Sequence, residues 1–182
     1  RRTAVVAIAI LAMFNIALAF HDALLVDKKA DVILISIDAL RADHLGCYGY
    51  KRATSPTIDA FANNNVLFER AFAHQPWTLP SHMSMLTGLY ARTHGVGAEM
   101  DTTLPPSFLS LPEILKNAGY ATMGFVSGGI WMHSFYGFND GFDYYHLAEF
   151  YNPGMPERNA EYQNLFIKRY LKKNKKKNNF IF

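Results

Sequence analysis

The spacing of apolar positions changes several times along the chain, and each change marks an element. From Ala4 to Phe20 the residues are apolar except for Asn15, with Arg1 and Arg2 ahead of them. That pattern predicts an export signal or a membrane anchor over residues 1–20, with Ala17, Leu18 and Ala19 as a small-x-small cleavage site. The run is short for a comfortable span, so cleavage and retention stay equally open. After a polar connector, Asp31 to Asp38 forms a continuous β-branched run. Such a run predicts a strand in the middle of a sheet, covered on both faces.

Helical spacing follows. Thr54, Ser55 and Pro56 open a helix whose inner face is Ile58, Phe61 and Ala62, and Asn63, Asn64 and Asn65 end it. Val66 to Phe68, running into Ala71 to Ala73, predicts a second strand. From Gln75 the chain stiffens: Pro76 and Pro80 fix two torsions, and Trp77 is sized to anchor a loop. A helix then starts with Pro80 or Ser81 in its first turn, buries Met83, Met85 and Leu86, and stops at Gly88. Ser110 to Gly119 is another helix, with a cap, a Pro in the first turn, an apolar face of Leu111, Ile114, Leu115 and Ala118, and a Gly stop. Tyr120 to Val126 is the next strand, and the loop from Phe135 to Tyr145 is assigned to packing. Lys168 to Asn179 is a basic, low-complexity stretch, which predicts a solvated or disordered tail with a weak attraction to anionic lipid.

Composition narrows this picture. The chain has 182 residues, half of them apolar, enough for one core and one domain. A single cysteine, Cys47, excludes an internal disulfide framework and a cysteine zinc cluster; it reads as a small buried residue. The net charge is +3, with most of the excess at the C-terminal end. The middle is near neutral, so a nucleic-acid surface is not indicated.

Two positions carry candidate chemistry. Asp38 lies at the C-terminal end of the predicted first strand, where open α/β sheets place ligand sites; it also reads as a helix cap. Thr78 lies at the mouth of a helix, where free N–H groups and the dipole favour an anionic oxygen. It reads as a cap residue or as a nucleophile for a sulfate or phosphate ester. His82 is one turn further along the same face, within reach of the hydroxyl or of an ester oxygen. His94, beside a Gly turn, reads as a structural histidine.

The stretch with Thr78, Pro80, Ser81, His82 and Leu86-Thr87-Gly88 resembles the signature of the sulfatase family of the alkaline-phosphatase superfamily. Asp38, Arg41, Asp43 and Leu45 to Gly49 resemble that family's opening motif, as do Tyr90 to Val96 its continuation. The resemblance covers Asp31 to Tyr145 and implies an α/β fold, an alkaline-phosphatase-like three-layer sandwich truncated to its N-terminal portion. With the apolar run and the basic end, it divides the chain into residues 1–20, a catalytic-domain portion over 31–150, and the basic tail over 151–182. It implies a metal-dependent hydrolase or transferase of sulfate or phosphate esters, and the apolar run over residues 1–20 predicts that the protein is exported to the periplasm or outside, or anchored facing outward. Thr78 and His82 are the catalytic candidates, and Asp38 and Thr78 the metal ligands. Calcium is favoured, with magnesium or manganese as alternatives.

Departures from the family pattern matter as much. Thr78 replaces the Cys or Ser that becomes formylglycine, and threonine cannot form that aldehyde. Ala39 replaces a second metal-binding Asp, His82 an Arg, and Ser127 to Trp131 the usual Gly-Lys-Trp-His. Arg41 and Asp43 read as local structure. The family's later metal ligands find no counterpart before Phe182, which makes the span half a site, inactive by itself. A non-catalytic binding protein and a membrane-tethered structural fragment are the competing readings.

Overall fold

The computed structural model describes residues 30–127, 130–148, 160–175 and 177–182. The apolar segment expected as a signal or anchor lies outside them. Among the described residues no helix is long and apolar enough to cross a membrane.

Four parallel strands form one sheet. They are β1 (Val32–Ile33), β2 (Ala121–Val126), β3 (Tyr144–Leu147) and β4 (Asn179–Ile181), in the spatial order β1-β4-β2-β3. Parallel neighbours need crossovers, and helices supply them: α1 (Pro56–Asn63), α2 (Thr78–Thr87), α3 (Ala91–His94), α4 (Leu111–Asn117) and α5 (Ala160–Lys173). β4 pairs Phe180 with Val32 on one side and with Thr122 on the other. The last strand in the sequence is therefore central, and it joins β1 to the rest of the sheet.

Alternation along β2 sends neighbouring side chains to opposite faces. Val126 joins Leu79, Met83 and Leu86 of α2 in the main core, together with Val96, Leu104 and Phe138. Phe125 faces the other way and meets Phe166 of α5, ring centroids 5.8 Å apart. Helices thus flank both faces of the sheet, the layering expected from the sequence. The Phe135–Tyr145 loop packs as anticipated: Phe138 is fully buried, and the Asp143 carboxylate accepts the Thr122 N–H at 3.1 Å.

Several expectations are corrected. The strand drawn over Asp31–Asp38 is paired only at Val32 and Ile33, and it lies at the edge among the described strands rather than in the middle. Ile33, Ile35 and Ile37 are exposed, because an open cleft separates them from α5. Val66–Phe68 and Ala71–Ala73 form no strand; they run as an exposed loop. Phe61, Met85 and Ile114, assigned to buried faces, are exposed, and Cys47 is half-buried.

The basic end departs most from its reading as a solvated tail. Tyr162, Phe166, Ile167 and Tyr170 form the half-buried side of α5 while its lysines face water. Asn179, Phe180 and Ile181 are buried in the sheet. A short apolar strand after a lysine run costs little solvation, because the lysine stems and charges remain outside.

Candidate active site

The site forms where the end of the β1 segment meets the start of α2. Leu34 and Ser36 are half-buried between exposed Ile33, Ile35 and Ile37, the two-residue alternation of an extended chain. Leu34, Ser36 and Asp38 thus share the side facing α2. Directly after Asp38 the backbone turns, with Ala39 at φ 56°, a left-handed conformation that costs a non-glycine residue on the order of 1 kcal/mol. Held strain of this kind concentrates at functional turns. Here it falls on the residue standing where the family pattern has its second Asp.

Helix α2 begins at Thr78, with extended Trp77 as its N-cap residue. Trp77 meets Trp131 edge to face, centroids 5.4 Å apart, which pins the helix start against residues 130–132. Gly88 ends the helix in the left-handed conformation at φ 68°, as the sequence indicated.

The two predicted site residues come together. Thr78 Oγ1 donates towards both carboxylate oxygens of Asp38, at 3.3 and 3.4 Å. Exposed Asp38 and half-buried Thr78 both line a cleft of about 790 Å³. Ile35 and Ile37 form part of one wall, Phe125, Ser127 and Ile167 part of the other. Among the described residues no Lys or Arg lines it. The cationic clamp absent from the sequence pattern is thus not replaced by another cation there.

His82 has a different position from the one expected. It is buried, with its Nδ1 2.9 Å from the carbonyl oxygen of Thr78 rather than the hydroxyl. Its Nε2 lies 2.9 Å from Ser36 Oγ. A carbonyl only accepts, so Nδ1 carries a proton, and in the neutral ring Nε2 accepts from the Ser36 hydroxyl. Ser36 was missed by the sequence reasoning. The available signal was its place two residues before Asp38, on the same side of an extended segment.

His94 behaves as the structural histidine expected. It is fully buried: Nδ1 accepts from the Val96 N–H at 3.1 Å, and Nε2 lies 3.0 Å from Ser84 Oγ. Burial pushes its pKa down. Arg41 and Asp43 form an exposed local ion pair at 2.6 Å, and the Arg41 guanidinium holds the Asp43 carboxyl well below the usual carboxylate range. His133 is exposed and accepts from the Phe135 N–H at 3.0 Å. No group of three or more His, Cys, Asp or Glu residues is placed to hold a metal ion among the described residues. Among the described residues lining the cleft, Asp38 is the one acidic side chain.

A family model described as Sulfatase matches residues 30–182. The chain belongs to the sulfatase family. The match runs through α5 and β4, so the family resemblance extends past Tyr145, where the sequence reading stopped. The chain is 37% identical over 105 residues to iduronate 2-sulfatase of Mus musculus, a match covering 51% of this chain and 17% of that protein. It is 33% identical over 99 residues to N-acetylgalactosamine-6-O-sulfatase of Bacteroides thetaiotaomicron, covering 52% of this chain and 19% of that one.

Among solved structures, a putative sulfatase from Bacteroides thetaiotaomicron superposes with a TM-score of 0.63 at 23% identity, covering 85% of this chain and 34% of the other. Phosphonate monoester hydrolase of Agrobacterium radiobacter gives 0.57 at 24% identity, covering 80% and 30%. The fold is thus the α/β, alkaline-phosphatase-like architecture implied by the sequence. The chain spans only a minor part of the length of each of these proteins.

Proposed function

We propose that the protein carrying this chain is a metal-dependent hydrolase or transferase of sulfate or phosphate esters, with Thr78 as its nucleophile. The observation that carries this reading is the approach of Thr78 Oγ1 to both Asp38 oxygens, at 3.3 and 3.4 Å, beside an open cleft. Hydrolysis of sulfate esters is the activity its family membership supports. Threonine in the nucleophile position keeps phosphoryl transfer open, because a plain hydroxyl suffices for a covalent phosphoester.

The Asp38 carboxylate and Thr78 hydroxyl are hard oxygen donors, the set that suits calcium, magnesium or manganese better than zinc. Such a cation, when bound, neutralises charge on the ester oxygens and favours the ionised hydroxyl. Thr78 Oγ1 gives up its proton and forms a bond to sulfur or phosphorus, the bond to the alcohol oxygen breaks, and that oxygen takes up a proton through water as the alcohol leaves. Water or a second alcohol then cleaves the threonine ester. Two ligands are few against the roughly six to eight that calcium takes, so this stretch alone is expected to be inactive. Export, or attachment through residues 1–20, belongs to the same reading.

A second reading is a non-catalytic, sulfatase-like binding protein. Ala39 favours it: the site keeps the turn after Asp38 but lacks an acidic side chain on it. Both readings are tested with full-length protein in calcium, magnesium or manganese, assayed on aryl sulfate, aryl phosphate and phosphodiester substrates. Loss of metal-dependent turnover in both Thr78→Ala and Asp38→Ala supports the enzyme reading. Absence of turnover on every substrate moves the assignment to the binding protein.

A further inference from the structure

Two cross-links join the β1 segment to α2, and they match in spacing. Asp38 reaches Thr78, and Ser36 reaches His82. Residues two apart on an extended chain are separated by about 6.6 Å, and residues four apart on a helix rise by about 6 Å. The pairs therefore stack like two rungs, an outer one on exposed Asp38 and an inner one on buried His82. Ser36 and His82 also line the cleft, but both His82 nitrogens are taken, by Thr78 O and by Ser36 Oγ.

We propose that Ser36 and His82 are a positioning pair that fixes the Asp38–Thr78 spacing, rather than acid–base residues. The proposal rests on Thr78 being the nucleophile. Three features support it. His82 is only 6% exposed, so its geometry is set by packing and its two bonds. Its Nδ1 bond holds the carbonyl of the nucleophile's own residue, at the first position of the helix. Its Nε2 bond reaches the chain two residues before Asp38. A slip of either element along the other must stretch the 2.9 Å inner bond as well as the longer outer contact. The pair thus resists the small displacement that would take Thr78 out of line.

The experiment uses full-length protein and three variants, Ser36→Ala, Ser36→Thr and Thr78→Ala, assayed at saturating metal on the ester that wild type turns over best. In Ser36→Ala, kcat is expected to fall about ten- to a hundredfold with KM within about twofold, as a misplaced nucleophile requires. Ser36→Thr keeps the hydroxyl and restores kcat to within about threefold of wild type. In parallel, nitrogen NMR of labelled histidine reads the His82 tautomer without any substrate. Nδ1 is expected to be protonated in wild type and in Ser36→Ala, because the Thr78 carbonyl remains, while the Nε2 resonance shifts in Ser36→Ala as its hydrogen bond from the hydroxyl is lost. Wild-type kcat in Ser36→Ala overturns the proposal. So does an equal loss in Ser36→Thr accompanied by a lowered melting temperature, or a wild-type His82 protonated at Nε2 alone. Turnover that survives Thr78→Ala instead sinks the nucleophile reading, and the tautomer measurement then decides the hydrogen-bonded pair by itself.

Discussion

Asp31 and Asn179 lie 148 positions apart and close the sheet. One carboxylate oxygen of Asp31 accepts the backbone N–H of Asn179 at 2.7 Å and its side-chain amide at 3.0 Å. These bonds seat β4 beside β1, and β1 leads directly to Ser36 and Asp38. Hydrogen bonds to a charged group contribute about 1.5–3 kcal/mol. Asp31→Ala is expected to cost stability in that range, read by urea unfolding, while Asp31→Asn retains part of it.

Backbone freedom is required most at Gly141. Its φ is +82°, and a Cβ there would sit 2.2 Å from the backbone nitrogen of Glu113, which has nowhere to move. The left-handed penalty and the overpacking together place Gly141→Ala at about 2–4 kcal/mol. Gly49 is the control, with φ +94° but no atom within 4 Å of the added Cβ. Gly49→Ala is expected to cost only about 1–2 kcal/mol. Equal losses in the two variants would contradict the packing argument.

The pH response follows from His94. Burial lowers its pKa below the ordinary 6.5, so the unfolded chain binds a proton that the folded chain refuses. Its contribution to stability is complete above pH 6.5 and is lost as pH falls from 6.5 towards the folded value. Asp143 acts in a separate window: burial raises its pKa, but the Lys116 pair and the Thr122 N–H outweigh this and leave it below 3.8. Its contribution is lost only as pH falls below 3.8. Denaturation midpoints at steps between pH 8 and pH 3 should show the first decline, and His94→Gln should remove that decline while lowering the plateau.

Metal dependence provides a further check. Full-length protein stripped with a chelator is expected to lose turnover and regain it with calcium, magnesium or manganese. In titration calorimetry, Asp38→Asn should weaken metal binding at least about tenfold. Unchanged affinity in that variant would remove Asp38 from the ligand set.

The sequence exposed the site more fully than the sheet around it. Thr78 and Asp38 were readable because a Pro-fixed helix start and the end of a β-branched run both leave local signatures. Their contact is long-range, and only the family resemblance indicated it. His82 was placed on the correct helical face. Its partner could not be read from the helix, because Ser36 belongs to another segment. The role of α5 and β4 was hidden by composition: lysines dominate the stretch, although Tyr162, Phe166, Ile167 and Tyr170 keep helical spacing. Three buried residues, Asn179 to Ile181, are too short a strand to register against that background. Val66 to Phe72 misled in the opposite direction, since β-branched and aromatic content predicts a strand only when a neighbouring strand is there to pair with it.

The most direct test of the central claim is to catch the covalent ester on Thr78. Full-length protein with its divalent cation would be quenched during turnover of an aryl sulfate or aryl phosphate, digested, and its peptides weighed. The account predicts a sulfo or phospho group on the peptide containing Thr78, absent in Thr78→Ala. A modified peptide elsewhere, or full turnover by Thr78→Ala, would contradict it.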